Sequence, residues 1–313
     1  MSGGTTEPVW VLADPRAGTA NQALGIAERL GVPFRVVPLA WSALARVPWP
    51  WPTLAGLDAA ARVRLAPPWP RLVVSAGRRS APVSLWLGRQ GARTVHAMRP
   101  GFGASRFDLL VLGRHDRPAP APNVMEIVGA CHRVSAMVLE RARAEWQALA
   151  ALPPPRVAVL VGGPVRAEGL DAGTARRLVP RVLGRFPAAS LLVTTSRRTG
   201  GEAARLIGET LAGSPHRLFR WGDPGPNPYL GFLAHADAIV VTGDSVSMLA
   251  EAAATAVPVF VATRERGRHE RMIESLMNAG RVRPLRLAAQ PFPVTPLDEA
   301  GRVAAAIRAR GFL

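Results

Sequence analysis

The chain contains no lysine, and all 39 basic residues among its 313 are arginines. P-loop proteins need a lysine that reaches the β- and γ-phosphates, and pyridoxal-phosphate and Schiff-base enzymes need an amine. Protein kinases also use a lysine, on their third strand. The composition therefore excludes all three classes of enzyme.

Cysteine and metal-ligand patterns are also scarce. Cys131 is the single cysteine, so the chain has no internal disulfide and no cysteine-based zinc cluster. No histidine and aspartate cluster has the spacing of metal ligands, and we predict no metal site and no bound cofactor. The arginines are scattered and no zinc-finger or RNP-type motif is present, which argues against nucleic acid as a partner.

The chain has no long uninterrupted apolar run. The stretch Ala238–Ala262 is broken by Asp244 and Glu251, and no basic segment precedes an apolar run near the N-terminus. These absences predict a cytoplasmic protein without a membrane-spanning helix or signal peptide. The net charge of +17 is what a GC-rich genome produces, but it also favours peripheral contact with an anionic surface such as the inner membrane.

Short apolar runs alternate with helical segments along the whole chain. This alternation is typical of parallel sheets covered on both faces, and it predicts an α/β protein. Because the prolines at 153–155 interrupt the pattern, we expect two Rossmann-like, doubly wound domains facing a cleft, over residues 1–152 and 156–296. Residues 297–313 are predicted as a helix that returns to the first domain. The oligomeric state does not follow from the sequence.

Candidate binding residues of the second domain follow its predicted strands. In open α/β sheets, ligands bind beyond the carboxyl ends of the strands. One group combines glycines, which allow close approach to a ligand, with arginines, which suit phosphate. The alternative to a binding role is that these residues form ordinary turns and a solvated loop. The group comprises Gly162, Gly163, Ser196, Arg197 and Arg198.

The segment after the strand at 238–242 gives the most specific indication of a binding site. Asp244, Ser245 and Ser247 stand where a helix begins, and a helix N-terminus attracts a diphosphate. Glu251 follows Ser247 by four residues and so lies on the same helix face. The alternative is a helix cap with an exposed glutamate. Asn227 and Tyr229, in a turn before another helix, are further binding candidates, with a packing role as the alternative.

The first domain offers similar turns. The turn that follows the first strand, with a helix predicted over Ala20–Leu30, suits an anion or sugar hydroxyls, and so does a second turn with arginine. These two turns contribute Gly18, Asn21, Gln22, Gly77 and Arg78. Three titratable residues near strand ends are candidates for proton transfer, although such residues are more often structural: Asp14, His115 and Asp116.

Several of these motifs together resemble those of the mitochondrial fission (elongated-mitochondria) family. The specific segments are Ser-Arg-Arg-Thr at 196–199 and Asp-Ser-Val-Ser-Met at 244–248. Bacterial members of that family often carry the label nucleoside-diphosphate-sugar epimerase. The family in turn is similar to GT-B glycosyltransferases of the lipid-linked peptidoglycan type.

The resemblance carries expectations for the site. It implies that Ser245 and Ser247 contact a donor diphosphate, that Glu251 contacts the ribose, and that the turn at Gly18–Asn21 faces an acceptor. The function it implies is metal-independent transfer of a sugar from a nucleotide-diphosphate sugar. Two alternatives stay open: a non-catalytic scaffold, as the fission name implies, and a nucleotide-sugar 2-epimerase-like enzyme.

Overall fold

The computed structural model describes residues 8–164, 169–263, 265–287, 292 and 294–313. The first of its two sheets has the strand order β2-β1-β3-β4-β5-β6, and all neighbouring strands are parallel. The strands are β1 (Val9–Ala13), β2 (Phe34–Pro38), β3 (Leu72–Ala76), β4 (Arg93–Ala97), β5 (Leu109–Gly113) and β6 (Val124–Ile127). The helices between them are α1 (Ala17–Glu28), α2 (Ala59–Val63) and α3 (Ala81–Gly88).

The second sheet has the order β12-β11-β10-β7-β8-β9 and is also parallel throughout. Its strands are β7 (Arg156–Val161), β8 (Ser190–Thr195), β9 (His216–Phe219), β10 (Ala238–Val241), β11 (Val259–Val261) and β12 (Arg283–Pro284). The helices of this part are α4 (Ala136–Glu145), α5 (Ala172–Leu183), α6 (Gly201–Thr210), α7 (Tyr229–His235), α8 (Val246–Ala253) and α9 (Arg268–Asn278). A final helix, α10, spans Glu299–Ala309.

The central strands β1, β3 and β5 of the first sheet are buried on both faces, as their unbroken apolar runs predict. Val9 and Val11 share a core with Ile26 of α1, whereas Trp10 and Leu12 point to the opposite face and a second core. Successive side chains of a strand alternate between its faces, so helices on both sides are needed to cover them. Helices α1 and α10 pack on one face of the sheet, and α2 and α3 pack on the other.

The chain divides into two compact units, one of residues 1–133 with 298–313 and one of residues 134–297. This division differs from the predicted boundary at residue 152, because α4 packs within the second unit. His235 Nε2 donates to the carbonyl of Arg143 at 3.1 Å, and the ring of Trp146 lies against Gly231. Helix α10 belongs to the first unit, where Ile307 is in the core with Ile26 of α1.

The strands expected from the apolar runs are all present, with ends displaced by at most two residues. Two helices differ more. Helix α1 starts at Ala17 rather than Ala20, and the helix predicted over His132–Leu149 is α4 followed by a short 3-10 turn at Gln147–Ala151. The pattern did not predict α2, a five-residue helix that begins where the Asp58 side chain accepts from the Ala61 amide at 2.7 Å. Such a short helix has no periodicity to detect.

Cys131 is buried in the first core, and burial raises the pKa of its thiol, with the nearby Glu299 and Asp298 charges adding to the effect. The thiolate is the reactive form, so we expect no modification of the native protein by iodoacetamide near neutral pH. Labelling, followed by mass, should appear only with the unfolding transition in denaturant. Rapid labelling of the native chain would contradict the burial.

Candidate functional site

The carboxyl ends of β7, β8 and β10 lie side by side, because these strands are neighbours in the second sheet. The Gly162 amide donates to Thr242 Oγ1 at 2.7 Å, and the Ser196 amide donates to Thr199 Oγ1 at 2.9 Å. The same Thr199 hydroxyl lies 2.6 Å from the Gly162 carbonyl oxygen. Hydroxyl groups thus tie the three strand-end loops together.

The two glycines after β7 are required by this packing. An added Cβ at Gly162 would lie 2.1 Å from Asp244 Oδ1, and one at Gly163 would lie 1.9 Å from the Arg198 carbonyl oxygen. The sequence predicts that a ligand approaches these glycines. The close approach that the structure does contain is made by the neighbouring loops.

Asp244 and Ser245 have different positions although they are adjacent in sequence. Ser245 is the N-cap of α8, and its hydroxyl accepts from the Met248 amide at 3.4 Å. Asp244 is buried and accepts from the Thr242 hydroxyl at 2.8 Å. Ser247 lies in the first turn of α8 and is partly exposed. The structure thus assigns the capping role to Ser245.

The two arginines after β8 are not equivalent. Arg197 is exposed, whereas Arg198 is partly buried and its guanidinium lies 3.5 Å from the Asp244 carbonyl oxygen. The Arg198 amide also donates to Ser196 Oγ at 3.2 Å. Arg198 therefore joins the loop after β8 to the start of α8, while Arg197 is directed to solvent.

Glu251 is paired with Tyr229, the chain's one tyrosine. The tyrosine hydroxyl donates to Glu251 Oε2 at 2.5 Å. Burial raises the pKa of Glu251 to about 7, although the hydrogen bond from Tyr229 acts in the opposite direction. Burial and the adjacent carboxylate raise the pKa of Tyr229 well above its ordinary value. The site therefore holds a carboxyl group that changes its charge near neutral pH, one helical turn from Ser247.

Asn227 lies at the start of α7 and is exposed. Its side-chain oxygen accepts from the Tyr229 amide at 3.0 Å, which forms an Asx turn. The pair predicted from sequence is thus brought together, with Asn227 positioning the backbone of Tyr229 and Tyr229 reaching Glu251.

The sequence interpretation missed the loop after β11. Thr263 Oγ1 accepts from the Gly243 amide at 2.7 Å and donates to Glu265 Oε1 at 2.6 Å. Burial raises the pKa of Glu265 and lowers that of His269, and Asp244 acts on both groups. The signal was available, since β11 ends at the same sheet edge, but a lone threonine and glutamate in a loop form no motif.

The turn after β1 in the first unit is shorter than predicted. The Asp14 carboxylate accepts from the Arg16 amide at 2.8 Å, and α1 begins at Ala17. Gly18 and Asn21 therefore lie within the helix, and the predicted glycine turn at Gly18 is wrong. Gln22, on the same helix, is buried.

The turn after β3 lies beside the start of α1, because β1 and β3 are neighbouring strands. Gly77 has a φ of +83°, and an added Cβ there would lie 2.8 Å from the methyl carbon of Thr19. The turn therefore requires glycine for both its conformation and its packing. Arg78, the next residue, is exposed.

The three candidate proton-transfer residues form two groups. Asp14 follows β1, whereas His115 and Asp116 follow β5, and two strands stand between them. This places the groups about 14 Å apart, at about 4.8 Å per strand. His115 is buried, with Nε2 at 3.8 Å from Asp116 Oδ2.

Asp14 is held in its charged form. Burial alone would raise the pKa of the carboxyl, but the hydrogen bonds and charge of Arg16 and the hydrogen bond from the Trp41 indole outweigh it, so the pKa lies below its usual value. Arg16 Nε lies 2.9 Å from Asp14 Oδ1, and Trp41 Nε1 lies 3.2 Å from Oδ2.

Two further findings concern membranes and metals. No helix of the described residues has the length and apolar character needed to cross a membrane. Over the same part of the chain, no three histidine, cysteine or acidic side chains are grouped as ligands for a metal ion.

Each of the two units has a sheet of parallel strands with polar loops at their carboxyl ends, and the similarity to solved structures assigns the chain to the GT-B class of fold. The chain is similar to a UDP-N-acetylglucosamine 2-epimerase, described as putative, from Listeria monocytogenes, with a TM-score of 0.57, 14% identity and coverage of 97% of this chain and 96% of that one. The spinosyn forosaminyltransferase SpnP matches with a TM-score of 0.53 and 14% identity over 98% and 95% of the two chains. At this identity the likeness shows the fold alone.

The chain belongs to the mitochondrial fission ELM1 family, whose model matches residues 17–311. The mitochondrial fission protein ELM1 of Arabidopsis thaliana is 30% identical over 219 residues, which cover 61% of this chain. The matched region spans about half, 51%, of that relative's own length. The family and fold expected from the sequence are thereby confirmed.

Proposed function

We propose that the second unit binds a nucleotide-diphosphate sugar at the carboxyl edge of its sheet. The observation that carries this proposal is the partly buried Glu251, which has Tyr229 as its hydrogen-bonding partner and lies one turn from the start of α8. A carboxylate removed from water is costly unless donors satisfy it. The paired hydroxyls of a ribose are such donors, and they would replace or join the tyrosine hydroxyl.

The diphosphate would lie at the N-terminus of α8. Backbone N–H groups at a helix start are directed towards an anion, and Ser245 and Ser247 add hydroxyls there. The Arg198 guanidinium lies near the Asp244 carbonyl at this point, and Arg197 is exposed on the same loop. Arginine side chains would offset the negative charge that grows on a departing diphosphate.

The reaction we propose is transfer of the sugar to an acceptor hydroxyl. The bond between the sugar's anomeric carbon and the diphosphate oxygen breaks, the diphosphate leaves with the electron pair, and the acceptor oxygen bonds to that carbon. The acceptor's proton goes to a base, for which the candidates from the sequence are Asp14, His115 and Asp116. His115 with Asp116 suits this role better than Asp14, because the low pKa of Asp14 makes it a weak base.

Nucleotide binding tests the proposal directly. Thermal unfolding should be measured with UDP, GDP, CDP, ADP and their sugars. A ligand at one hundred times its Kd adds about 2.7 kcal/mol to stability, which corresponds to several degrees in Tm. For the nucleotide that raises Tm, Glu251→Gln should make the binding free energy less favourable by about 1.5–3 kcal/mol.

Glu209→Gln is the matched control, because Glu209 is exposed on α6 and paired with Arg205 of the same helix. It should leave the nucleotide shift unchanged. A Tm that no nucleotide shifts at millimolar concentration would reject the proposal in favour of a non-catalytic scaffold. If a nucleotide binds, release of free nucleoside diphosphate from its sugar supports transfer, and isomerisation of the sugar without release supports a 2-epimerase instead.

A further inference from the structure

Large apolar side chains are exposed along two loops of the first unit. Leu44, Val47 and Trp51 lie on the loop between β2 and α2, with exposed fractions of 49%, 44% and 53%. Phe102, on the loop between β4 and β5, is 52% exposed. Contiguous exposed apolar groups mark interaction surfaces, whereas isolated ones need no explanation.

The two loops form one surface. Arg106 donates to the carbonyl of Pro50 at 3.5 Å, which joins them directly. The rings of Trp49 and Trp51 contact edge to face at a centroid distance of 5.7 Å, and the Trp49 indole donates to the Leu44 carbonyl at 3.0 Å. A depression is lined from both loops, by Val47, Trp49 and Phe102 among others. We call Leu44, Val47, Trp49, Trp51 and Phe102 the Trp51 surface.

Arginines surround the Trp51 surface. Arg46 lies between Leu44 and Val47 and is exposed, and Arg78 and Arg79 line the same depression as Phe102. The aliphatic part of Arg78 lies against Gly101, where an added Cβ would be 3.1 Å from its Cγ. Arg78, predicted from sequence to bind substrate, thus lies beside this apolar surface.

Negative charge is nearly absent from the chain segment that contains the two loops. Residues 29–107 include twelve arginines, and Asp58 is their one acidic residue. The Asp58 carboxylate is already used, since it caps α2. The rim of the Trp51 surface therefore keeps its positive charge, and a partner must supply anions around an apolar centre.

We propose that the Trp51 surface docks the protein onto an anionic lipid bilayer. Tryptophan and phenylalanine are favoured at the level of lipid headgroups, and arginines beside them pair with anionic headgroups while their stems stay in apolar surroundings. A bilayer supplies both an apolar layer and a dense array of anions. An acidic protein surface supplies the anions but has to present a matching apolar patch as well.

Flotation with vesicles tests this proposal. The full chain is mixed with phosphatidylcholine vesicles, with or without phosphatidylglycerol, at low and high salt. We expect binding to the anionic vesicles alone, and less of it at high salt. The double variant Trp51→Ala with Phe102→Ala should lower the partition coefficient about tenfold. Arg46→Gln with Arg78→Gln should lower the partition coefficient about 25-fold, at roughly fivefold per arginine.

Matched controls come from the second unit. Met137→Ala removes an exposed apolar side chain, 69% exposed on α4, and Arg185→Gln removes an exposed charge. Both should bind vesicles as the unchanged protein does, and all variants should keep its Tm. The proposal would be overturned by any of three results: the controls lose as much vesicle binding as the double variants, the double variants bind as the unchanged protein does, or the protein does not float with anionic vesicles. The last result would leave the surface to an acidic protein partner.

Discussion

The unchanged protein is expected to lose on the order of 3 kcal/mol of its free energy of unfolding between pH 4.5 and 7 through Glu251, and the Glu251→Gln variant should not show this loss. Burial raises the pKa of this carboxyl from its ordinary value of 4.5 to about 7. Across that interval the folded state holds a proton that the unfolded state has released. The free energy of unfolding therefore falls as pH rises through the interval, and the full benefit is present below it.

Urea denaturation over this pH range, compared between the two proteins, measures the effect, because other groups titrate equally in both. The difference in free energy of unfolding between wild type and Glu251→Gln should change with pH and become constant above pH 7.

Tyr229→Phe provides a second test. Its hydroxyl favours the charged carboxylate, so its removal should raise the pKa of Glu251 further and move the transition to higher pH. A pH-independent difference for Glu251→Gln would contradict the burial of this group.

Gly163→Ala is expected to cost about 3 kcal/mol, at the upper end of overpacking effects. The added Cβ would lie 1.9 Å from the carbonyl oxygen and 2.2 Å from the carbonyl carbon of Arg198. Both atoms belong to the backbone, so no rotamer change relieves the contact and the loop after β8 has to move. The movement would also displace Arg198 from α8 and weaken the proposed nucleotide binding.

Gly201→Ala is the matched control. Gly201 is the first residue of α6, and an added Cβ there meets no atom within 4 Å. Alanine in a helix is favoured over glycine, so the variant should be neutral or up to about 1 kcal/mol more stable. Chemical denaturation of both variants gives the comparison. Equal stability of Gly163→Ala and Gly201→Ala would show that the strand-end loops adapt at little cost.

The strands could be predicted from sequence because the apolar runs are short, unbroken and bounded by turn residues. Val157 to Val161 are all fully buried in β7, as a strand covered on both faces requires. Helix ends were less predictable, as α1 shows. Its start depends on the Asp14 carboxylate accepting from the Arg16 amide. That is one hydrogen bond between residues two apart, which carries no periodic signal.

The candidate site was partly predictable. The order of strand, glycine turn and helix identified Ser245, Ser247 and Glu251, because helix spacing places residues 247 and 251 on one face. The partner of Glu251 was not deducible, since Tyr229 lies 22 residues away and reaches it from α7. Thr263 was missed for the same reason, because the hydrogen bond it accepts from the Gly243 amide joins the loop after β11 to the loop after β10.

The sequence by itself determined the α/β class, the parallel sheets, the absence of lysine chemistry and the family. The first three properties follow from composition and from periodicity along the chain, whereas the family was inferred from the resemblance of its motifs at 196–199 and 244–248. The tertiary structure alone decided that α4 packs in the second unit, that Asp14 is held by Arg16 and Trp41, and that exposed tryptophan and phenylalanine share a surface with arginines. Each of these depends on contacts between residues or elements whose pairing local patterns do not specify, and burial in such contacts also sets the charge of Glu251.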